Sequence, residues 1–263
     1  MSGTRRFQLV VLSLLLIVVP LWRSVAAEQT RSSTVGPFAL PVGTVILDAG
    51  HGGHDPGASA TWSFSGRVDE KDITLDMVKR VKGILAIEAP DLSVVLTRGD
   101  DTYVSLEDRC AIAVSTEPAA GTSAMFISIH VNSALTSSAS GFEFLIKSQS
   151  KKVNVLGPDS PASAAARFSR YTNSELARQL NQQNLLLGQA MEQSLVRAFP
   201  KERNRGVKEA DIYVLNYSRM PAVLVEIGFL SNENDARNLT SPSWRQEMAR
   251  AIASAILGGK ASL

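Results

Sequence analysis

From Pro41 onward, short apolar, β-branched runs alternate with longer amphipathic ones. Thr44–Asp48, Ser93–Thr97, Met125–Ile129, Gly141–Ile146, Ile212–Leu215 and Ala222–Glu226 read as strands. Most are apolar on both faces, the pattern of sheet strands covered on both sides. Between them, Ile73, Met77, Val81, Ile84 and Leu85 fall on one helical stripe. Leu176, Leu180, Leu187, Met191 and Leu195 mark a longer helix that starts near Asn173-Ser174-Glu175. Ser241-Pro242 opens a final helix carrying Met248, Ile252 and Ile256, because proline fits the first helical turn. This alternation predicts an α/β fold: a mostly parallel sheet of about six strands with helices on both faces.

The segment 148–172 has turn residues, mixed charge and little periodicity, and reads as a long surface excursion between a strand and the long helix. Residues 28–40 are rich in Ser, Thr, Gly and Pro and read as a linker, leaving 41–263 as one domain. Residues 1–27 carry Arg5 and Arg6, an apolar run from Leu9 to Trp22, and Ser24-Val25-Ala26-Ala27. That is the layout of a secretory signal peptide, which predicts a periplasmic or extracellular protein. The run falls short of the roughly 20 apolar residues of a membrane span; an uncleaved anchor is the alternative.

Removal of the leader shifts the charge balance. The chain has 27 basic and 25 acidic residues; loss of Arg5, Arg6 and Arg23 leaves 24 against 25. A nearly neutral domain lacks the basic stripe of a nucleic-acid binder. Cys110 is the only cysteine, so no intramolecular disulfide forms. Its helical spacing with Leu106 and Ala113 reads as a buried structural thiol.

The first strand runs into Asp48-Ala-Gly-His51-Gly-Gly-His54-Asp55-Pro-Gly57. This glycine-rich turn fits neither nucleotide fingerprint: it lacks a closing Gly-Lys-Ser/Thr, and the sixth position from Gly50 is Asp55. Its glycines let the backbone turn sharply while presenting His51. His130 closes the Met125–Ile129 strand, and Glu226 closes the Ala222–Val225 run. If these strands are parallel, all three converge outside the carboxyl edge of the sheet, where ligands bind in such folds. Glu70, just before the returning helix, joins them there. Two imidazoles and two carboxylates make the parts list of a catalytic zinc site: three ligands, an open position for water and a base beside it.

These residues resemble the zinc-dependent N-acetylmuramoyl-L-alanine amidases typified by bacterial cell-separation amidases. The similarity runs in ordered blocks from Val45 to Ala58, through Glu70–Leu75, Leu96–Asp101 with Leu106 and Arg109, Ile127–Ser133, Asn204–Val207 with Val214-Leu215, and Val225–Asn232. The resemblance implies a twisted six-stranded sheet, Zn2+ held by His51, Glu70 and His130, and Glu226 as the catalytic glutamate. Asp69 is the competing ligand, disfavoured by the Glu70-Lys-Asp block; His54 is left facing solvent or supporting the site. Some relatives carry an inhibitory helix near the place of 148–172, but Pro158, Pro161 and the lack of an acidic amphipathic helix argue against the same plug here.

The implied reaction is hydrolysis of the amide between the lactyl group of N-acetylmuramic acid and L-alanine in peptidoglycan. Asn132, Arg205 and Lys208 are candidates for holding the substrate's carboxylates or carbonyls. The competing readings are an exported zinc peptidase and a catalytically inactive wall-binding module. The expected partners are the peptidoglycan substrate and a possible protein activator, with no nucleic acid, and the expected state is a monomer.

Overall fold

The computed structural model describes residue 38 and residues 40–260 apart from 159. The predicted leader, and all of the predicted linker except Phe38 and Leu40, lie outside the described residues. In chain order the elements are β1 (Val42–Ala49), β2 (Ser59–Trp62), β3 (Gly66–Asp69), α1 (Glu70–Glu88), β4 (Ser93–Leu96), α2 (Leu106–Ser115), β5 (Ser123–Asn132), β6 (Phe142–Lys147), α3 (Ala162–Phe168), α4 (Asn173–Ala198), β7 (Asn204–Ala210), α5 (Tyr213–Tyr217), β8 (Ala222–Phe229), α6 (Glu233–Thr240) and α7 (Pro242–Lys260).

Six strands form one sheet in the order β4-β1-β5-β8-β6-β7. Every neighbouring pair is parallel except β6 against β8, so the predicted mostly parallel α/β sheet is what forms. Side-chain alternation sends Val45 and Leu47 of β1, Met125 and Ile127 of β5 and Val223 and Val225 of β8 into one core with α1, α4 and α7. The intervening Ile46, Phe126 and Leu224 enter a second core with Cys110 and Ala113 of α2 and Val214 and Leu215 of α5. Each fully buried aliphatic or aromatic side chain contributes about 1.5–3 kcal/mol, so both faces of the sheet are committed.

The helices form where the pattern places them, for identifiable reasons. Ile73, Met77, Val81 and Leu85 of α1 are buried, with Ile84 only partly so; Glu70 and Asp72 in the first turn suit the positive end of the helix dipole. α4 starts with a capping box, Thr172 accepting from the Glu175 N–H and Glu175 accepting from the Thr172 N–H, and all five residues of its predicted stripe are buried. In α7, Met248, Ile252 and Ile256 are fully buried.

Three local readings change. Ile212–Leu215 is not a strand: Ile212 is the extended residue before α5, and Asn216 donates to Asp211 across its first turn at 2.6 Å. The sixth strand is instead β7, a polar edge strand. Leu106 is exposed, while Cys110 and Ala113 are buried as expected. The 148–172 excursion contains α3 and a small core of its own, in which Val155 and Phe168 pack with Phe38, Leu176 and Leu180. Because β6 runs antiparallel to β8, the excursion leaves the sheet at the end away from the carboxyl ends of β1, β5 and β8. There a cavity of about 370 Å3 lies between residues of 155–168, Leu40, the 113–124 stretch and 218–220.

Candidate metal centre

β1 ends at Ala49 and the chain turns through Gly50 and His51, the latter with φ 60°. That left-handed conformation is costly for a histidine, and the turn is held by two buried guanidiniums. Arg109 donates to Asp48 Oδ1 and the Ala49 carbonyl, both at 2.5 Å, and to the His51 carbonyl at 2.7 Å. Arg98 donates to the Gly50 carbonyl at 2.8 Å. Asp48 also accepts from Thr97 at 2.7 Å and Ser128 at 2.6 Å. Burial works against the Asp48 charge, but Arg109 and the two hydroxyls outweigh it and hold the carboxyl below the usual range.

On this scaffold His51, Glu70 and His130 offer one donor atom each, all within 4.8 Å of one another. His51 Nε2 lies 3.2 Å from Glu70 Oε2, and His130 Nδ1 lies 3.0 Å from Glu70 Oε1. Two backbone N–H groups, of Ala58 and Val131, each donate to the Glu70 carboxylate at 2.8 Å and fix its plane. Asp55 contacts His51 Nδ1 at 2.8 Å, which orients the ring and leaves Nε2 facing the cluster. A Cβ at Gly50 would stand 2.6 Å from both His130 ring nitrogens; one at Gly57, where φ is +66°, would stand 2.5 Å from Glu70 Oε2. Both glycines are therefore required by close approach.

The three donors set one another's protonation. Burial opposes the charged form of His51, but Glu70 and then Asp55 outweigh it and raise its pKa to about 9. His130 is raised against its own burial, chiefly by Glu70. Glu70 is driven well below the usual range by the two histidines despite its burial. Two imidazoles and a carboxylate, converged and oriented from behind, fit a divalent zinc-type ion, whose binding releases those protons.

Glu226 lies within β8 rather than at its end, and the parallel register pairs it with His130. Its Oε2 is buried without a hydrogen-bond partner, a costly state for a carboxylate. Burial raises its pKa to about 7, with His130 opposing. On its other side the register pairs it with Glu143 of β6. Sequence reasoning missed Glu143 and gave Asp55 no role; a polar residue inside the apolar Gly141–Ile146 run was the available signal. Asp69, the competing ligand, turns outward to Ser59 and Arg67. His54 packs against Tyr103 with the rings tilted and their centroids 4.2 Å apart. Arg205 and Lys208 both donate to Glu143 Oε2, at 2.8 and 2.7 Å, and Asn132 donates to Oε1 at 3.2 Å.

Known proteins share this arrangement of sequence. The profile of the N-acetylmuramoyl-L-alanine amidase family matches residues 45–258. The uncharacterized protein YqiI of Bacillus subtilis is 36% identical over 241 residues, covering 90% of this chain and 96% of YqiI. The N-acetylmuramoyl-L-alanine amidase LytC of the same organism is 30% identical over 226 residues, covering 86% of this chain and 36% of LytC, so the chain spans about a third of that relative. Among solved structures, an N-acetylmuramoyl-L-alanine amidase from Clostridium difficile 630 superposes with a TM-score of 0.63 at 27% identity, covering 83% of this chain and 96% of that one. The CwlD amidase of Clostridioides difficile, solved with the GerS lipoprotein, gives 0.62 at 29% identity, covering 82% and 97%. The chain belongs to the N-acetylmuramoyl-L-alanine amidase family.

Proposed function

We propose that this protein hydrolyses the amide between the lactyl group of N-acetylmuramic acid and L-alanine in peptidoglycan, with His51, Glu70 and His130 holding a zinc ion and Glu226 acting as the base. The observation that carries the reading is the pairing of a converged His-Glu-His cluster with a half-buried glutamate on the adjacent strand whose Oε2 is buried and unpartnered. Bound zinc supplies Lewis acidity, polarising a carbonyl and acidifying water. Glu226 takes a proton from the attacking water and passes it to the departing L-alanine amine, the role of a general base that becomes a general acid. Asp55 keeps His51 Nε2 directed inward, and Arg98 and Arg109 hold the loop that carries it. The products are a glycan strand and a peptide with a free L-alanine amino terminus.

Export by residues 1–27, action in the periplasm or outside the cell, a monomeric state and control by a protein partner belong to the same proposal. The CwlD structure, which contains a lipoprotein partner, supports testing for an activator. Among the described residues no helix is long and apolar enough to cross a membrane. The test is incubation of the purified chain with peptidoglycan, with a chelator and with zinc restored, followed by mass spectrometry of the released fragments. Zinc-restored release of peptides beginning at L-alanine supports the amidase; cleavage within the stem peptide moves the protein to the peptidase class.

A further inference from the structure

A polar row crosses the same face of the sheet, strand by strand. His130 pairs with Glu226, and Glu226 pairs with Glu143. β7 closes the row at the edge: Phe142 pairs with Asn204 and Phe144 with Val207, so the irregularity between them sets Arg205 and Gly206 opposite Glu143. Lys208 pairs with Leu145, which packs against the second core, so Lys208 belongs to the same face as Glu143.

The charges along this row do not balance at its outer end. Glu143 is 8% exposed, and its Oε2 accepts from both Arg205 Nε and Lys208 Nζ. One carboxylate facing two cations leaves a net positive charge. The two cations differ in setting. The Arg205 guanidinium sits 4.9 Å from the centroid of the Phe229 ring and its side chain is 24% exposed, whereas the Lys208 side chain is 44% exposed. Arg205 is thus held between a ring and a carboxylate as a structural clamp. Lys208 keeps part of its ammonium toward solvent, with three donors and only one of them on Glu143.

Distance decides what that ammonium can reach. Neighbouring strands are about 4.8 Å apart, and β7 lies two spacings from β8, but the Lys208 ammonium reaches back to the carboxylate of Glu143, whose strand is one spacing from Glu226, which sets the ammonium about 5–10 Å from Glu226. An extended peptide advances about 3.4 Å per residue, so the middle of this span matches the second residue of a chain whose first amide is at Glu226. The geometry points to Lys208, positioned by Glu143, as a recognition site for a carboxylate on the second residue of the departing peptide, making that acid group a determinant of which stem peptides are cleaved.

This inference rests on the amidase reading, and the experiment separates the two. The zinc-loaded chain is given two preparations of peptidoglycan fragments whose stem peptides differ at one group: a free carboxylate on the residue after L-alanine, or its primary amide. The wild type should favour the free acid about ten-fold in kcat/KM, the scale of one partly exposed charge-assisted hydrogen bond, with the difference in KM. Lys208→Met should bring that ratio close to one, and Lys208→Arg should retain most of it. Lys208→Gln replaces the methionine variant if thermal melting shows that variant unfolded, and the wild-type ratio needs no variant. Equal rates on both fragments in the wild type overturn the subsite, as does a Lys208→Met loss that falls equally on both as kcat. Cleavage of neither fragment by the wild type overturns the amidase reading and the subsite with it.

Discussion

His130 on β5 and Glu226 on β8 are register partners in adjacent parallel strands, which sets a metal-type donor and an unpartnered carboxylate side by side on one face of the sheet. Register in a buried sheet is strongly specified, because a slip of one residue would send every apolar side chain to the wrong face. The spacing of the two groups is thus fixed by the packing of Met125, Ile127, Val223 and Val225, far more than by any contact between the groups themselves.

Gly57→Ala tests how tightly the cluster is built. A methyl there meets Glu70 Oε2 at 2.5 Å and His51 Cδ2 at 2.6 Å, on a backbone with φ +66°. Zinc affinity, measured by competition with a chromogenic chelator, should fall at least about ten-fold, as for disturbance of groups that orient metal ligands. Wild-type affinity would show that Glu70 is free to move without consequence.

Arg109→Leu should cost about 3–5 kcal/mol in urea unfolding, because it leaves the Asp48 carboxylate buried without its cation. Asp48 is 1% exposed and Arg109 is 3% exposed, so solvent screening does little to reduce the effect. The same variant frees the His51 carbonyl and leaves the Ala49 carbonyl only its Arg98 donor, so zinc binding should weaken alongside stability.

The pH dependence of stability has a defined sign. The folded pKa of Asp48 lies below its unfolded value of about 3.9, so its contribution is complete above that value and is lost as pH falls through the folded pKa. Unfolding free energy should drop as pH is lowered below about 4. Asp48→Asn should be less stable at neutral pH and show a shallower acid limb; an unchanged slope would place the acid sensitivity elsewhere.

Cys110 should be inert in the folded protein. Burial, reinforced by Asp48, pushes its thiol up to about 12, so little reactive thiolate exists at neutral pH. Iodoacetamide should label it only after denaturation, and labelling of the native chain at the rate of a free thiol would contradict its burial.

The central strands and the polar residues that gather on them were more legible in the sequence than the edges. β1, β5 and β8 are apolar runs interrupted by Asp48, Ser128, His130 and Glu226, and an interruption of that kind is visible without coordinates. β7 was missed because a strand at the sheet edge needs no continuous apolar face: Asn204, Lys208 and Glu209 are exposed or partly so. Ile212–Leu215 was misread because a four-residue apolar run has no periodicity to separate strand from helix. The β2–β3 hairpin, four residues per strand, was too short to announce itself. Glu70 was placed correctly because it begins α1, but its hold on both histidines comes from tertiary approach across Gly50 and Gly57, which one-dimensional spacing does not encode.

In the proposed mechanism Glu226 moves the proton while His51, Glu70 and His130 hold the metal. Bound zinc and turnover of peptidoglycan, measured on the same preparations of wild type and Glu226→Gln, test it most directly. Both proteins should carry one zinc per chain, with release of peptides beginning at L-alanine reduced at least about a hundred-fold in the variant; near-normal release by zinc-loaded Glu226→Gln would remove the proton-transfer role from Glu226.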